Sequence, residues 1–254
     1  RSLGTFFYKL LSDTFIVLAG DIHQIESIDF GNWFRYAKDI ICVPSANVEL
    51  LSTWRTDDQN LINLWDEVRN HGDLITEKLA IDGPFSEEIG PGIFDKADED
   101  EVVLCLNYDG KFGLNNMNTY LQNANTASKA VSWQEWTYKI GDPILFNESQ
   151  RFSLLYYNLK GKIVAIEKNN DMIRFTIDVA MLLTENDCRN TDMEYIESFE
   201  ESTRIRFCIY ANKDDETDES IRAKCIIPFQ LAYAVSIHKA QGLEYNSVKI
   251  VIPQ

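Results

Sequence analysis

Residues 230–237 form an apolar stretch, Gln-Leu-Ala-Tyr-Ala-Val-Ser-Ile, that breaks at once into His238, Lys239, Ala240, Gln241 and Gly242. A continuous apolar run of this length suits a strand buried on both faces, the kind found in parallel sheets. Ser236 is placed to cap the free amides of a short helix over 238–241, and Gly242 to end that helix in the left-handed conformation. Beyond the turn, Val248, Ile250 and Ile252 alternate with Lys249 and Val251 as in a second, largely buried strand. Strand, tight helix, turn and strand restrict the chain to the α/β class. His238, Lys239, Gln241 and Glu244 then gather on the connection at one sheet edge, where α/β proteins place ligand sites. Taken alone, the same residues also read as a capped surface turn with solvated charges.

The 254 residues are enough for one large domain or two ordinary ones with a sizeable core. No apolar run approaches the roughly 20 residues needed to cross a bilayer, and the first residues lack a signal-peptide layout, so a cytoplasmic protein is expected. Cys42, Cys105, Cys188, Cys208 and Cys225 stand singly, without a Cys-x-x-Cys pair and with only 3 histidines in the chain. Reduced, mostly buried thiols are expected, and no zinc site. The net charge of −16 argues against a grip on nucleic acid that rests on cations. Much of the acid lies in 82–101 and 187–219, however, which read as solvated insertions. A groove lined by hydroxyls, amides and aromatic rings can still hold a single strand.

Along the chain, Leu3, Phe6, Phe7 and Leu10 mark a helix over 1–12, and residues 15–19 a short buried parallel strand ending in Gly20-Asp21-Ile22-His23-Gln24. Residues 57–70 form an amphipathic helix, with Leu61, Leu64, Trp65 and Val68 on one face, Thr56 as cap and Gly72 beyond. Residues 102–106 read as a strand, and Leu114, Met117 and Leu121 as a helix. From Ile140 the pattern changes to short strand candidates at 143–147, 154–157, 163–167, 172–177 and 205–210, separated by turn residues. This predicts a small β-barrel inserted between two halves of an α/β domain, whose pattern returns at Ile226. Trp133 and Trp136 read as hydrophobic anchors between domains rather than as base-stacking platforms, and His23 and His71 as surface residues without function.

Residues 233–245, Tyr-Ala-Val-Ser-Ile-His-Lys-Ala-Gln-Gly-Leu-Glu-Tyr, resemble motif V of superfamily 1 helicases, specifically the RecD-like, superfamily 1B branch. Residues 15–24 resemble motif III of that family, with Gly20, Asp21 and Gln24 matching. Residues 49–56, carrying Arg55, resemble motif IV. Residues 112–122 resemble the segment that follows, and Gly141-Asp142 with Asn147, Asn158 and Gly161 the opening of an SH3-like barrel. The resemblance implies two RecA-like (P-loop NTPase-type) parallel-sheet domains, the second interrupted by an SH3-like β-barrel. It would place the remainder of the first domain at 1–96, the second at 97–139 and 226–254, and the barrel at 140–225.

What the resemblance implies for the site has chemical sense. Gln24 offers a donor and an acceptor suited to the γ-phosphate or its attacking water, with Asp21 orienting the loop. Arg55 is the candidate arginine finger, because a planar, permanently charged fork suits phosphoryl-transfer charge. Gly20, Gln241, Gly242 and Glu244 would contact ATP, Gly242 by letting backbone approach phosphate and Glu244 by holding a ribose hydroxyl. Ser236, His238, Lys239, Asn147 and Asn158 would contact single-stranded DNA. ATP and Mg²⁺ are the implied cofactors, although no Mg²⁺ ligand falls within this sequence. Translocation 5′-to-3′ is implied by the branch alone.

The sequence departs from the family in two ways. It holds no Gly-x-x-x-x-Gly-Lys-Ser/Thr, and by spacing the Walker B acids would fall ahead of Arg1 and motif VI beyond Gln254. The expectation is therefore a helicase fragment inactive by itself. In addition, Ile25-Glu26-Ser27 replaces the usual Leu-Pro-Pro after motif III. The competing reading is an ATP-independent, helicase-like scaffold whose β-insert binds a protein partner.

Overall fold

The computed structural model describes residues 15–24, 31–40, 47–50, 56–73, 75, 77, 98–126, 129–147, 151–211 and 218–251. The chain divides into two compact units, Arg1–Glu88 and Ile89–Gln254. The expected helix over 1–12 and Arg55 lie outside the described residues.

In the first unit, α1 (Trp33–Ile40) and α2 (Gln59–Arg69) are helical. Gly20 lies so close to α1 that a Cβ there would stand 2.7 Å from the Phe34 ring. The α2 cap is Asp58, whose carboxylate accepts from the amides of Asn60 and Leu61, while Thr56 Oγ1 accepts from the Asp58 amide one step earlier. Thr56 was the expected cap; Asp58 takes the place because it sits directly before the first helical residue. Residues 15–19, expected as a buried strand, carry none, and Phe15 is 90% exposed. No strand among the described residues lies beside them to satisfy their backbone groups.

The second unit is mixed α/β, with one parallel and one larger antiparallel sheet. In the parallel sheet, β1 (Glu101–Cys105) lies between β10 (Ala234–Ser236) and β11 (Ser247–Val251). One face packs Val103, Cys105, Ala234 and Val251 against Leu114, Met117 and Leu121 of α3 (Leu114–Ala124). The opposite face buries Val102 and Val235 against Leu145 and Ala232. On β11 the expected faces are reversed: Val248 and Ile250 are 47% and 60% exposed, whereas Val251 is buried. A one-residue change of face inverts every side chain of a strand. The half-buried Lys249 is tolerated because its amine pairs at 2.7 Å with the buried carboxylate of Glu101.

The remaining strands are β2 (Val131–Trp133) and β3 (Trp136–Tyr138), which form a hairpin, and β4 (Pro143–Phe146), β5 (Lys160–Lys168), β6 (Met172–Val179), β7 (Glu194–Ser198), β8 (Thr203–Tyr210) and β9 (Phe229–Leu231). The last six form an antiparallel sheet of order β7-β8-β6-β5-β4-β9. Short helices α4 (Glu185–Cys188), α5 (Glu219–Ala223) and α6 (Ile237–Ala240) complete the element list. Alternation shapes the sheet. Ile205, Phe207 and Ile209 of β8 and Ile173, Phe175 and Ile177 of β6 point inward, with Arg204, Arg206, Arg174 and Asp178 on the other face.

In a flat sheet β8 and β9 would stand four strand spacings apart, about 19 Å. The Phe207 and Phe229 rings instead lie 6.3 Å apart between centroids, and Phe175 stacks edge-on against Phe229 at 5.1 Å. The sheet is therefore rolled into a trough filled by Tyr138, Phe146, Phe152, Phe175, Phe207 and Phe229. Its end strands β7 and β9 do not pair among the described residues, so the expected barrel is not closed.

Three further expectations change. Residues 154–157 are turns around the buried Leu155, not a strand. Trp133 packs into the core of the trough among residues of the expected insert, whereas Trp136, expected to act with it as an anchor, is 53% exposed. The acids of 187–219 are not merely solvated. Glu194 pairs with Arg206, Glu197 with Arg204, and Asp192 with both Arg151 and Lys224.

Candidate strand-binding and nucleotide-facing site

The apolar run that ends in the motif V-like segment is two strands in two sheets. β9 pairs antiparallel with β4, the chain crosses at Ala232 and Tyr233, and β10 pairs parallel with β1. Ser236 thus arrives at the carboxyl end of a parallel strand, where open α/β sheets bind ligands. Its buried Oγ accepts from the Lys239 amide at 3.4 Å and caps α6. The Leu243 amide then bonds the Ala240 carbonyl at 2.9 Å, and Gly242 turns the chain at φ +83° with open space where a Cβ would stand.

This local fold sorts the polar side chains into two sets. His238, Gln241 and Glu244 are exposed along with Gly242. Lys239 turns the other way, half-buried, with its amine bonded to Gln230 Oε1 and 5.5 Å above the Tyr157 ring. Burial pushes its pKa down from the usual lysine value. Its carbonyl accepts from Asn158 Nδ2 at 3.1 Å. Asn158 takes φ +67° and gives its own amide proton to the Phe146 carbonyl at 2.8 Å.

A buried polar knot ties α3, the β3–β4 connection and the β9–β10 crossing together. Asp142, fully buried, accepts from Gln122 Nε2 at 2.6 Å, the Lys139 amide at 2.8 Å and the Tyr233 hydroxyl at 2.9 Å. Burial raises its pKa, with those hydrogen bonds and the Lys139 charge working against the rise. Asn118 adds a two-bond ladder to β10, donating to the Ala234 carbonyl at 2.9 Å and accepting from its amide at 3.0 Å. Asn118, Gln122 and Asp142 belong to the segments of helicase resemblance, and in this structure they serve as framework.

Beside Lys239 and Gln230 opens a groove of about 1010 Å³ between α3, the β2–β3 hairpin and β9. Its lining includes the amides of Asn123, Asn147 and Gln230, the rings of Tyr108 and Trp136, and the guanidinium of Arg222. Tyr108 and Trp136 are each more than half exposed. Amides offer donors and acceptors to bases and sugar-phosphate alike, and exposed rings offer stacking faces. This lining suits a polyanion in a chain that is itself acidic, because it does not depend on a stripe of cations.

The structure therefore brings Ser236, Lys239 and Asn158 into direct contact and sets Asn147 on the groove beside Gln230. His238, Gln241, Gly242 and Glu244 form the exposed side of the same segment. Gly20, Asp21 and Gln24 lie in the first unit, where Asp21 Oδ1 accepts from the His23 amide at 2.9 Å and the Gln24 amide approaches the Asp21 carbonyl at 3.4 Å. Gln24 is exposed. Sequence reasoning missed Gln230, Tyr157 and Lys160, and set Trp136 aside. Tyr157 lay in a predicted strand, and Gln230 was read only as the start of an apolar run.

Gly242, open and at positive φ between two exposed polar side chains, fits close approach of a nucleotide phosphate or ribose. Among the described residues no group of three or more His, Cys, Asp and Glu side chains is placed to hold a metal ion. No helix among them is long and apolar enough to cross a membrane.

No protein-family model matches the chain, and comparison with curated proteins finds no match. The solved structures it resembles include DNA helicases. In particular, a Pif1 helicase from Bacteroides in complex with ADP-AlF3 and ssDNA is 20% identical, with a TM-score of 0.42 over 82% of this chain and 46% of that one. Bacteroides Pif1 bound to ssDNA is 16% identical, with a TM-score of 0.42 over 80% and 45%. A structure of two coordinating Pif1 helicases at forked dsDNA gives 17%, 0.40, 80% and 43%. The chain spans less than half the length of these proteins.

Proposed function

We propose that this chain works within an ATP-dependent DNA helicase or translocase of the RecD-like, superfamily 1B type, moving 5′-to-3′ on single-stranded DNA. The observation that carries the reading is the two-sidedness of segment 236–244. One side presents Gln241, Gly242 and Glu244, and on the other the Lys239 amine bonds Gln230, which lines the amide-and-aromatic groove. A single short element at the carboxyl end of a parallel strand can thus meet a nucleotide and a nucleic-acid strand at once.

ATP supplies the phosphoryl-transfer chemistry. Of this chain's residues, Gln241, Gly242 and Glu244 would contact the nucleotide. Gln24, with Asp21 ordering its loop and Gly20 before it, senses the γ-phosphate, and Arg55 stabilises charge as phosphate is transferred. Lys239 and His238 hold the strand's phosphates beside Ser236, while Asn147 and Asn158 border its path and Trp136 offers a stacking face.

The test is DNA-stimulated ATP hydrolysis by the complete protein. Arg55→Ala is expected to lower it by about 10³- to 10⁵-fold, the range for loss of an arginine finger, with single-strand binding largely retained. Unchanged turnover would remove the finger. Absence of any ATPase in the unmodified protein would favour the scaffold reading.

A further inference from the structure

Asn158, in the connection between β4 and β5, and Lys160, the first residue of β5, both meet the motif V-like segment. Asn158 donates to the Lys239 carbonyl at 3.1 Å. Lys160 bonds the Glu244 carbonyl, reaches both carboxylate oxygens of Asp100 at 2.9 and 3.0 Å, and stands 3.8 Å over the Tyr245 ring. These contacts fall on either side of residues 240–243, the exposed turn assigned to the nucleotide. Within that turn the Leu243–Ala240 hydrogen bond is the local closure. Both ends of the turn are therefore fixed from outside, by one short stretch of the β-rich half.

The same stretch is joined to the groove. Asn147, on the groove wall, directly follows Phe146, whose carbonyl accepts the Asn158 amide at 2.8 Å. A second link runs from Gln230, also on the wall, to the Lys239 amine. Asp100 ties the bracket to the sheet as well, because its carbonyl accepts the Asn246 amide at 3.1 Å where the chain enters β11.

We propose that Asn158 and Lys160 are positioning residues that bracket the nucleotide-facing turn and couple it to strand occupancy of the groove. The inference rests on the functional reading above and adds the route of regulation. A strand pressing on Asn147 and Gln230 shifts the stretch 158–160, and that stretch moves both ends of the turn together. Coupling between sites of this kind is reciprocal: nucleotide at the turn must tighten or loosen the strand by the same factor.

Two measurements test this. In the chain as given, Lys160→Met removes the ammonium while keeping the length of the side chain. Hydrogen exchange at the Leu243 amide is expected to quicken by about tenfold, as local opening becomes easier. In the complete protein, a non-hydrolysable ATP analogue is expected to change the Kd for a single-stranded oligonucleotide by about 5-fold or more. That ratio should fall to about 1 in Lys160→Met and return in Lys160→Arg, which restores the cation. A Lys160→Met protein that keeps the native ratio overturns the bracket alone. A native protein that binds no nucleotide, or whose strand affinity ignores it, overturns the functional reading and the bracket with it. If Lys160→Met loses its circular dichroism, Asn158→Gly takes its place. Glycine accepts φ +67° without strain, so only the amide is lost. The same loss or retention of the ratio then decides.

Discussion

The two larger sheets of the second unit are built on opposite terms. The antiparallel trough is filled by six aromatic rings, with Phe146, Phe152 and Phe175 almost wholly buried, and its outer face is laced by arginine–carboxylate pairs. The parallel sheet has three strands, one helix against one face and, on β11, apolar side chains turned to solvent. Yet the motif V-like segment belongs to the thin sheet. β4 explains how that is possible. Phe146 and Ile144 face the trough, Leu145 faces Val102 and Val235, and the strand is a wall common to both cores. Rigidity is generated in one sheet and used in the other.

If that division holds, Phe175→Ala should have the largest effect on stability. It empties the centre of the ring cluster and should cost about 3–5 kcal/mol, measured by chemical denaturation. A loss confined to the trough, with the parallel half still cooperative, would break the comparison by showing two independent cores.

The Asp142 knot comes next. Asp142→Ala removes the acceptor of the Tyr233 hydroxyl and the Lys139 amide and one of the two acceptors of Gln122 Nε2, and should cost about 2–3 kcal/mol. Its pH signature has a definite sign. The folded pKa of Asp142 is raised above the ordinary 3.8, so the folded state holds the proton more tightly. Its contribution to stability then falls as pH rises from 3.8 through the folded value, and stability relative to Asp142→Asn should decline over that window. Asp187 and Asp218, cap residues held below 3.8 by their hydrogen bonds to Thr184 and Ser220, act in the opposite sense. Their contribution is present above 3.8 and lost as pH falls through the lowered folded values. Denaturation midpoints across acidic pH for the native and Asp142→Asn proteins separate the two.

Smaller effects are expected on the thin sheet. Ser236→Ala removes the α6 cap and should cost about 1 kcal/mol, with hydrogen exchange faster around Lys239. Val248→Ser, on the exposed face of β11, should stay within about 0.5 kcal/mol of the native protein. A larger loss would mean that this face is covered in solution.

Much of this was legible from the residues. The cap at Ser236, the turn at Gly242, the helix through Leu114, Met117 and Leu121, and the cores of β5, β6 and β8 follow from local chemistry and periodicity. Other features depend on tertiary partners that local patterns do not encode. The run 230–237 gave no hint that it divides between two sheets, because both halves are apolar. The reversed faces of β11 depend on Glu101 receiving the Lys249 amine. The trough depends on how far the sheet curls, which the strand sequences leave open. Within the site, Lys239 was legible as a polar group on a connection. Its partners Gln230, Tyr157 and Asn158 come from distant positions and only folding assembles them.

The central claim is that the groove beside Lys239 holds a nucleic-acid strand through amides and exposed rings. Fluorescence-anisotropy titration with a single-stranded oligonucleotide, comparing the native chain with Trp136→Ala, tests it most directly. Base stacking on an aromatic side chain contributes about 1–3 kcal/mol, so the variant should bind at least about fivefold more weakly, with its denaturation midpoint unchanged. Equal affinity in the two proteins, or no binding by the native chain, would contradict the account.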